Sequence, residues 1–181
     1  MKAHQGLVKL YKCPNPEINE ISVDQDALVS RSRSRVASYF YEKTDYDVLL
    51  FLDDDIVINT MDATKLMWMC YEKYPIIGGI YATKSEEKPG LAAEPYESSG
   101  KIIFGKDGGI MRMKSLSTGC MAIRRDVFTK MIERHKEIDI NYDVHGEDNN
   151  YKYWSFLMQA DVERPDGTKD ISEDWYFCKN A

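Results

Sequence analysis

The sequence predicts an α/β sandwich built on a mostly parallel central sheet. Three observations carry that expectation. Two short runs, Tyr46 to Leu52 and Ile76 to Tyr81, are apolar almost throughout, as strands covered on both faces are. Segments of helical period alternate with them. The 181 residues suit one domain over 1–181, long enough to bury roughly 70% of the surface that the unfolded chain exposes.

Gly6 to Lys12 reads as a short strand, followed by a loop at Cys13-Pro14-Asn15-Pro16. From Ala27 to Lys43 the residues Leu28, Val29, Val36, Ala37, Phe40 and Tyr41 gather on one side of a helix. Asp24 or Asp26 is placed to cap it, and Arg31, Arg33 and Arg35 crowd its first half. The strand from Tyr46 to Leu52 then ends abruptly in Asp53-Asp54-Asp55. Asn59-Thr60 opens a second helix, Met61 to Lys73, which Tyr74-Pro75 stops. Ile76 to Tyr81 reads as a buried strand containing a glycine pair, and Ala82 to Gly100 as a loop of the length that compact domains keep mainly for functional or mobile segments.

Ile102 to Phe104 and Gly109 to Met113 are short enough to be antiparallel strands around Lys106-Asp107-Gly108. After Ser117-Thr118-Gly119, a strand from Cys120 to Ile123 leads into a helix from Arg125 to about Lys136. Glu137 to Asp161 is acidic and aromatic without a clear period; Pro165-Asp166-Gly167-Thr168 is a turn. Ser172 caps a last helix, Glu173 to Lys179, with both acids in its first turn.

Thirty acidic against 24 basic side chains leave a net charge of -6, which gives no pull toward nucleic acid or anionic lipid. No apolar run approaches the ~20 residues of a membrane span, and the N-terminus lacks the apolar stretch of a secretion signal. Cys13, Cys70, Cys120 and Cys178 form no closely spaced pair, which argues against structural zinc and for reduced, mostly buried thiols. The expectation is a cytoplasmic protein with no nucleic-acid partner and no transmembrane segment.

The densest chemical signal is Asp53-Asp54-Asp55 at a strand end, the place where ligands of open α/β sheets bind. Three adjacent carboxylates repel one another unless a cation joins them, and hard Mg²⁺ or Mn²⁺ prefers oxygen ligands. The alternative is a solvated surface turn.

Here the sequence resembles a family. Leu28-Val29-Ser30-Arg31-Ser32-Arg33-Ser34 followed by Val48-Leu49-Leu50-Phe51-Leu52-Asp53-Asp54-Asp55-Ile56 is similar to the D-x-D region of GT-A fold glycosyltransferases, above all the short enzymes of bacteria, phages and large DNA viruses. Gly78-Gly79-Ile80-Tyr81-Ala82-Thr83-Lys84, the segment from Thr118 to Phe128, and Ser172-Glu173-Asp174-Trp175-Tyr176-Phe177-Cys178 follow in the family's order.

The resemblance implies a GT-A-like α/β/α sandwich and a metal-dependent transfer of a sugar from a nucleotide donor to a saccharide or other hydroxyl acceptor. It makes Asp53 and Asp55 the metal pair, binding Mn²⁺ or Mg²⁺, with Asp54 between them beside the donor, a UDP-sugar or GDP-sugar. Arg31 and Arg33 match an R-x-R that holds phosphate or carboxylate, Lys84 approaches the donor, and Gly119 lets the backbone come close to it. Glu173 and Asp174 match an acidic pair whose aspartate acts as general base. Gly146-Glu147-Asp148 is a second acidic pair, with His145 beside it either a further metal ligand or a solvated side chain; Tyr151, Tyr153, Trp154 and Phe156 form either a sugar-stacking wall or buried core. The chain departs from the family at Ser34, where asparagine is usual. It also lacks a base-contacting Pro-Thr-Tyr segment before Ala27, and it stops at Ala181 soon after the last motif, as a minimal or trimmed version would.

Two further functions fit the same residues. Asp53-Asp54-Asp55-Ile56-Val57 matches the D-x-D-x-[TV] of haloacid-dehalogenase-like phosphatases, with Asp53 as nucleophile and Asp55 as acid/base. A catalytically degenerate sugar-nucleotide-binding module is the other.

Overall fold

A computed structural model of the chain describes residues 6–12, 17–23, 28–82, 90–96, 109–145, 150–158, 160–161 and 170–181. Its elements, in order, are β1 (Gly6–Lys12), β2 (Glu17–Val23), α1 (Val29–Lys43), β3 (Val48–Leu52), α2 (Thr60–Glu72), β4 (Ile76–Gly78), β5 (Ala93–Pro95) and β6 (Met113–Leu116). There follow β7 (Cys120–Arg124), α3 (Arg125–Arg134), a 3-10 turn at Lys136–Ile138, β8 (Tyr142–Val144), β9 (Tyr151–Tyr153), β10 (Ala160–Asp161), β11 (Asp170–Ile171) and α4 (Glu173–Asn180).

The main sheet has five strands in the order β2-β1-β3-β7-β4, and every neighbouring pair in it is antiparallel. Three two-stranded ladders, β5 with β6, β8 with β9 and β10 with β11, are antiparallel as well. This overturns the expected mostly parallel sheet, and with it the GT-A-like fold. The physical reason lies in β7. It runs between β3 and β4 and opposes both, setting Ala122 against Leu50 on one side and against Ile77 on the other. On the other flank of β3, β1 opposes it with Lys9 across from Leu50.

All five residues of β3 are buried, because helices cover both faces of the sheet. On one face Leu49, Phe51, Met121 and Ile123 pack with Phe40 of α1, Phe128 and Met131 of α3, Phe156 and Phe177. On the other, Val48, Leu50 and Ala122 meet Ala63, Met67 and Cys70 of α2. Alternation along β3 and β7 thus feeds two cores at once.

Several ends differ from the sequence reading. β4 stops at Gly78 instead of Tyr81; a Cβ on Gly78 would stand 2.7 Å from the Cys120 carbonyl oxygen, so a close backbone approach requires glycine there. The strand expected from Gly109 starts at Met113. Asn59 does cap α2, its side chain accepting from the Asp62 amide at 2.8 Å. Leu28 stands at the start of α1 with no side-chain cap, while Asp24 and Asp26 lie outside the described residues. So do the loop at 13–16, the strand expected at 102–104 and the turn at 165–168.

Two polar devices went unread in the sequence. Arg125 at the head of α3 donates to the carbonyl oxygens of Phe40, Tyr41, Thr44 and Tyr46, and its guanidinium lies 4.3 Å from the Phe40 ring centroid. One cation therefore adds donors to the carbonyls at and just beyond the end of α1, where the Phe40 oxygen also accepts from the Thr44 hydroxyl at 2.7 Å. Ser34 and Ser38, one turn apart and buried, accept from the amides of Leu157 and Trp154 at 3.0 and 2.8 Å. Their hydroxyls pin the 154–157 segment to the helix as a neighbouring strand would.

Asp126 in the first turn of α3 accepts hydrogen bonds from Arg124 and Lys130, which hold its carboxyl down to about 2. A depressed folded-state value means a contribution present above the unfolded value and lost as pH falls through the folded one. Asp126→Asn is expected to remove that contribution: urea melts of wild type and variant should differ at pH 6 and converge between about pH 4 and pH 2. The carboxylate is more than a third exposed, so the difference is a modest one.

Candidate functional site

At the end of β3, main-chain direction and three distant segments bring a polar cluster together. The Asp53 amide donates to the Gly119 carbonyl at 2.9 Å, continuing the β3–β7 ladder by one step, and the Ile56 amide closes a turn onto the Asp53 carbonyl at 3.0 Å. The turn presents the Asp53 side chain at the sheet end. Arg33 reaches it from α1: Nη2 donates to Asp53 Oδ1 at 2.8 Å and to Oδ2 at 2.9 Å, while Nη1 donates to Glu173 Oε1 of α4 at 2.5 Å. Arg33 and Glu173 are mostly covered, but Asp53 keeps 35% of its side chain exposed.

Beside this triad stands Asp174, 8% exposed. Its Oδ1 accepts from the Ser172 hydroxyl and from the Trp175 amide at 2.8 Å, so one oxygen of the carboxylate helps to build the start of α4. Ser172 occupies the capping position yet makes no cap of its own to the backbone. The opposite wall is Tyr81, whose hydroxyl donates to Ser117 Oγ at 2.9 Å. Burial pushes the Tyr81 phenol up from its ordinary value, and the charges of Asp53, Arg33 and Asp174 all act on it.

Gly119 lies at the centre. A Cβ built on it would stand 2.1 Å from the Tyr81 hydroxyl oxygen and 3.1 Å from Asp53 Oδ2. The missing side chain is what lets tyrosine and aspartate border one point. Glycine is thus required by space, where the sequence suggested a backbone approach to a donor.

The other residues singled out from the sequence are placed differently. Arg31 is exposed; two positions along a helix is about 200° of rotation, so only Arg33 of the pair turns to the cluster. Asp54 and Asp55 are exposed in the turn beyond the triad. Lys84 and Gly146-Glu147-Asp148 lie outside the described residues. His145 is exposed just after β8. Tyr153 and Phe156 are core, Tyr151 packs edge-on against Tyr39, and Trp154 donates from its indole to Glu42 at 2.6 Å. Cys70 and Cys178 are free thiols pushed up to about 12 and about 11 by burial, and Cys120 is raised for the same reason. Cys13 lies outside the described residues.

No family model, curated protein or solved structure matches this chain.

Among the described residues no group of three His, Cys, Asp or Glu is placed to hold a metal ion. Both oxygens of Asp53, the first member of the expected metal pair, accept from Arg33. With the antiparallel sheet, this removes the basis for a GT-A glycosyltransferase and for metal-dependent transfer of sugar by a D-x-D site. Among the described residues, no helix is long and apolar enough to cross a membrane.

The cluster sets the Arg33 guanidinium between two carboxylates, with the Asp174 carboxylate next to Glu173 in the chain and the Tyr81–Ser117 hydroxyl pair close to Asp53. Such a surface is rich in acceptors held in fixed positions, which suits a ligand that brings many donors. A shallow groove on the outer face of α2, bordered by Met61, Lys65 and Trp68, shares none of these residues.

Proposed function

We propose that this chain binds a small hydroxyl-rich molecule at the end of β3, between Asp53 and Glu173 on one side and Tyr81 on the other. The supporting observation is the arrangement made by Arg33. It holds side by side two carboxylates that lie 20 and 140 positions from it in the sequence, and leaves the nearer one open to solvent. Neighbouring carboxylates accept from vicinal hydroxyls, and each oxygen held by Arg33 keeps a further acceptor direction. The ligand class that offers this pattern is a sugar, free or carried on a nucleotide. Both a nucleotide sugar and a saccharide belong to it.

Isothermal titration with UDP-glucose, GDP-mannose and free glucose, each with and without Mn²⁺, tests the reading. Binding of at least one probe is expected, weakened about tenfold to a hundredfold by Asp53→Asn, the loss of one hydrogen bond to a charged group. The variant should keep the wild-type circular dichroism spectrum. If every probe leaves the titration flat, or if Asp53→Asn binds as tightly as wild type, the cluster is a structural staple joining α1, β3 and α4, and the binding reading is wrong.

A further inference from the structure

We propose that Tyr81 and Ser117 form a hydroxyl pair that selects the ligand, reading one particular hydroxyl of the sugar bound at Asp53; this rests on the binding reading above. The geometry comes first. Tyr81 follows β4 and Ser117 precedes β7, so neither is needed to complete a strand. The phenol nonetheless reaches across to Ser117 Oγ at 2.9 Å, over a residue that has no side chain to obstruct it. Any residue but glycine at 119 would place its Cβ 2.1 Å from the phenolic oxygen. The tyrosine therefore occupies a space made for it, directly beside Asp53.

The proton count gives this wall a direction. Tyr81 donates its only proton to Ser117, so the phenolic oxygen keeps its accepting lone pairs for a ligand. Ser117, having accepted, is left with its own proton to give. The pair thus presents one acceptor and one donor, the complement of a single hydroxyl group, which both gives and takes. Asp53 beside it only accepts. A sugar hydroxyl lying between Tyr81 and Asp53 would be recognised by position and by its ability to donate, and a deoxy analogue at that position would leave the wall unpaired.

Polar capacity is also left over behind the wall. Ser115 and Thr118 are 5% and 0% exposed, and their hydroxyls have no hydrogen-bond partner among the described residues. Buried hydroxyls in that state are costly and call for a reason. They lie within two residues of Ser117, so the segment 115–118 carries three hydroxyls, two of them buried without a partner among the described residues.

The test compares UDP-glucose with its 2-deoxy, 3-deoxy, 4-deoxy and 6-deoxy analogues by titration against wild type, Tyr81→Phe and Ser117→Ala. Wild type is expected to bind one deoxy analogue at least about tenfold more weakly than the parent sugar. Tyr81→Phe keeps the ring and removes one oxygen; it should bind the parent about tenfold more weakly and no longer distinguish it from that analogue. Ser117→Ala should lose part of the same discrimination. A merely structural tyrosine would change overall affinity while leaving the ranking intact, and that result overturns the inference, as does wild-type selectivity in both variants. Gly119→Ala gives an independent check, since its methyl group displaces the phenol and should abolish the ranking even where Tyr81→Phe folds poorly. Failure of wild type to bind UDP-glucose, GDP-mannose and free glucose alike overturns the binding reading itself; binding with unchanged ranking in all three variants overturns this inference alone.

Discussion

Phe128→Ala is expected to lower the unfolding free energy by about 4 kcal/mol, within the usual range for a fully buried phenylalanine. Its ring is wholly buried and stands 5.7 Å from Phe40, 4.9 Å from Phe156 and 6.1 Å from Phe177, centroid to centroid. Those partners come from α1, the 154–157 segment and α4, so the vacancy left by the mutation borders three separate parts of the chain. None of them can collapse into it without leaving the other two. Edge-on and tilted ring pairs add to the area lost. For a chain of this length the melting temperature should drop by about 8–16 °C, with little change in the denaturant slope. A drop below about 3 °C in calorimetry would show that the aromatic cluster is not the centre of the fold.

The second large effect concerns Arg33→Met. Methionine fills much of the same space but takes away the guanidinium that joins Asp53 to Glu173. Breaking a covered ion pair from one side leaves charge without compensation, a loss of about 3–5 kcal/mol where burial is complete. Because Asp53 is partly open to water, about 2–3 kcal/mol is the expectation here. Urea melts of wild type and variant at pH 7 decide the matter: an unchanged midpoint would mean that the ion pairs of Arg33 carry none of the stability at this end of the sheet.

What the sequence disclosed, and what it hid, divides along a physical line. The burial of Val48 to Leu52 was legible because side chains carry it: five apolar residues in a row need cover on both faces. Strand direction was hidden because main-chain hydrogen bonds carry it, and they leave no mark on composition. The apolar residues of β7 pack equally well whether the strand runs up or down between β3 and β4. β2 escaped notice for a related cause: Glu17, Asn19, Glu20 and Ser22 give an edge strand a polar composition that resembles a loop.

The cluster shows the same division. Asp53 stood out as a charge at the end of an apolar strand, and Arg33, Glu173 and Asp174 through their match to charged motifs. Tyr81 and Ser117 did not, because a tyrosine and a serine are ordinary residues until a glycine lets them meet. The spacing of Ser34 and Ser38, one turn apart on the buried side of α1, was a signal that a search for small polar residues on an apolar helix face would have found. Arg125 offered none, since it meets its four carbonyl partners, clustered at the end of α1, only when α3 is set beside them.

The place of β7 also sets a timetable for synthesis. β1 pairs with both β2 and β3, and the three leave the ribosome together, so they can form a hairpin-based sheet early. β4 emerges next with its only neighbour in the sheet still unmade, because that neighbour begins at Cys120. Through the whole interval from Gly78 to Cys120 the exposed edge of β3 and the apolar residues of β4 wait side by side with an empty lane between them. The closing step is thus the insertion of one late strand into a waiting slot, with a long loop to close before any reward arrives. A nascent chain halted within that interval presents two unpaired strand edges, the condition in which chaperone engagement or edge-to-edge association between copies begins.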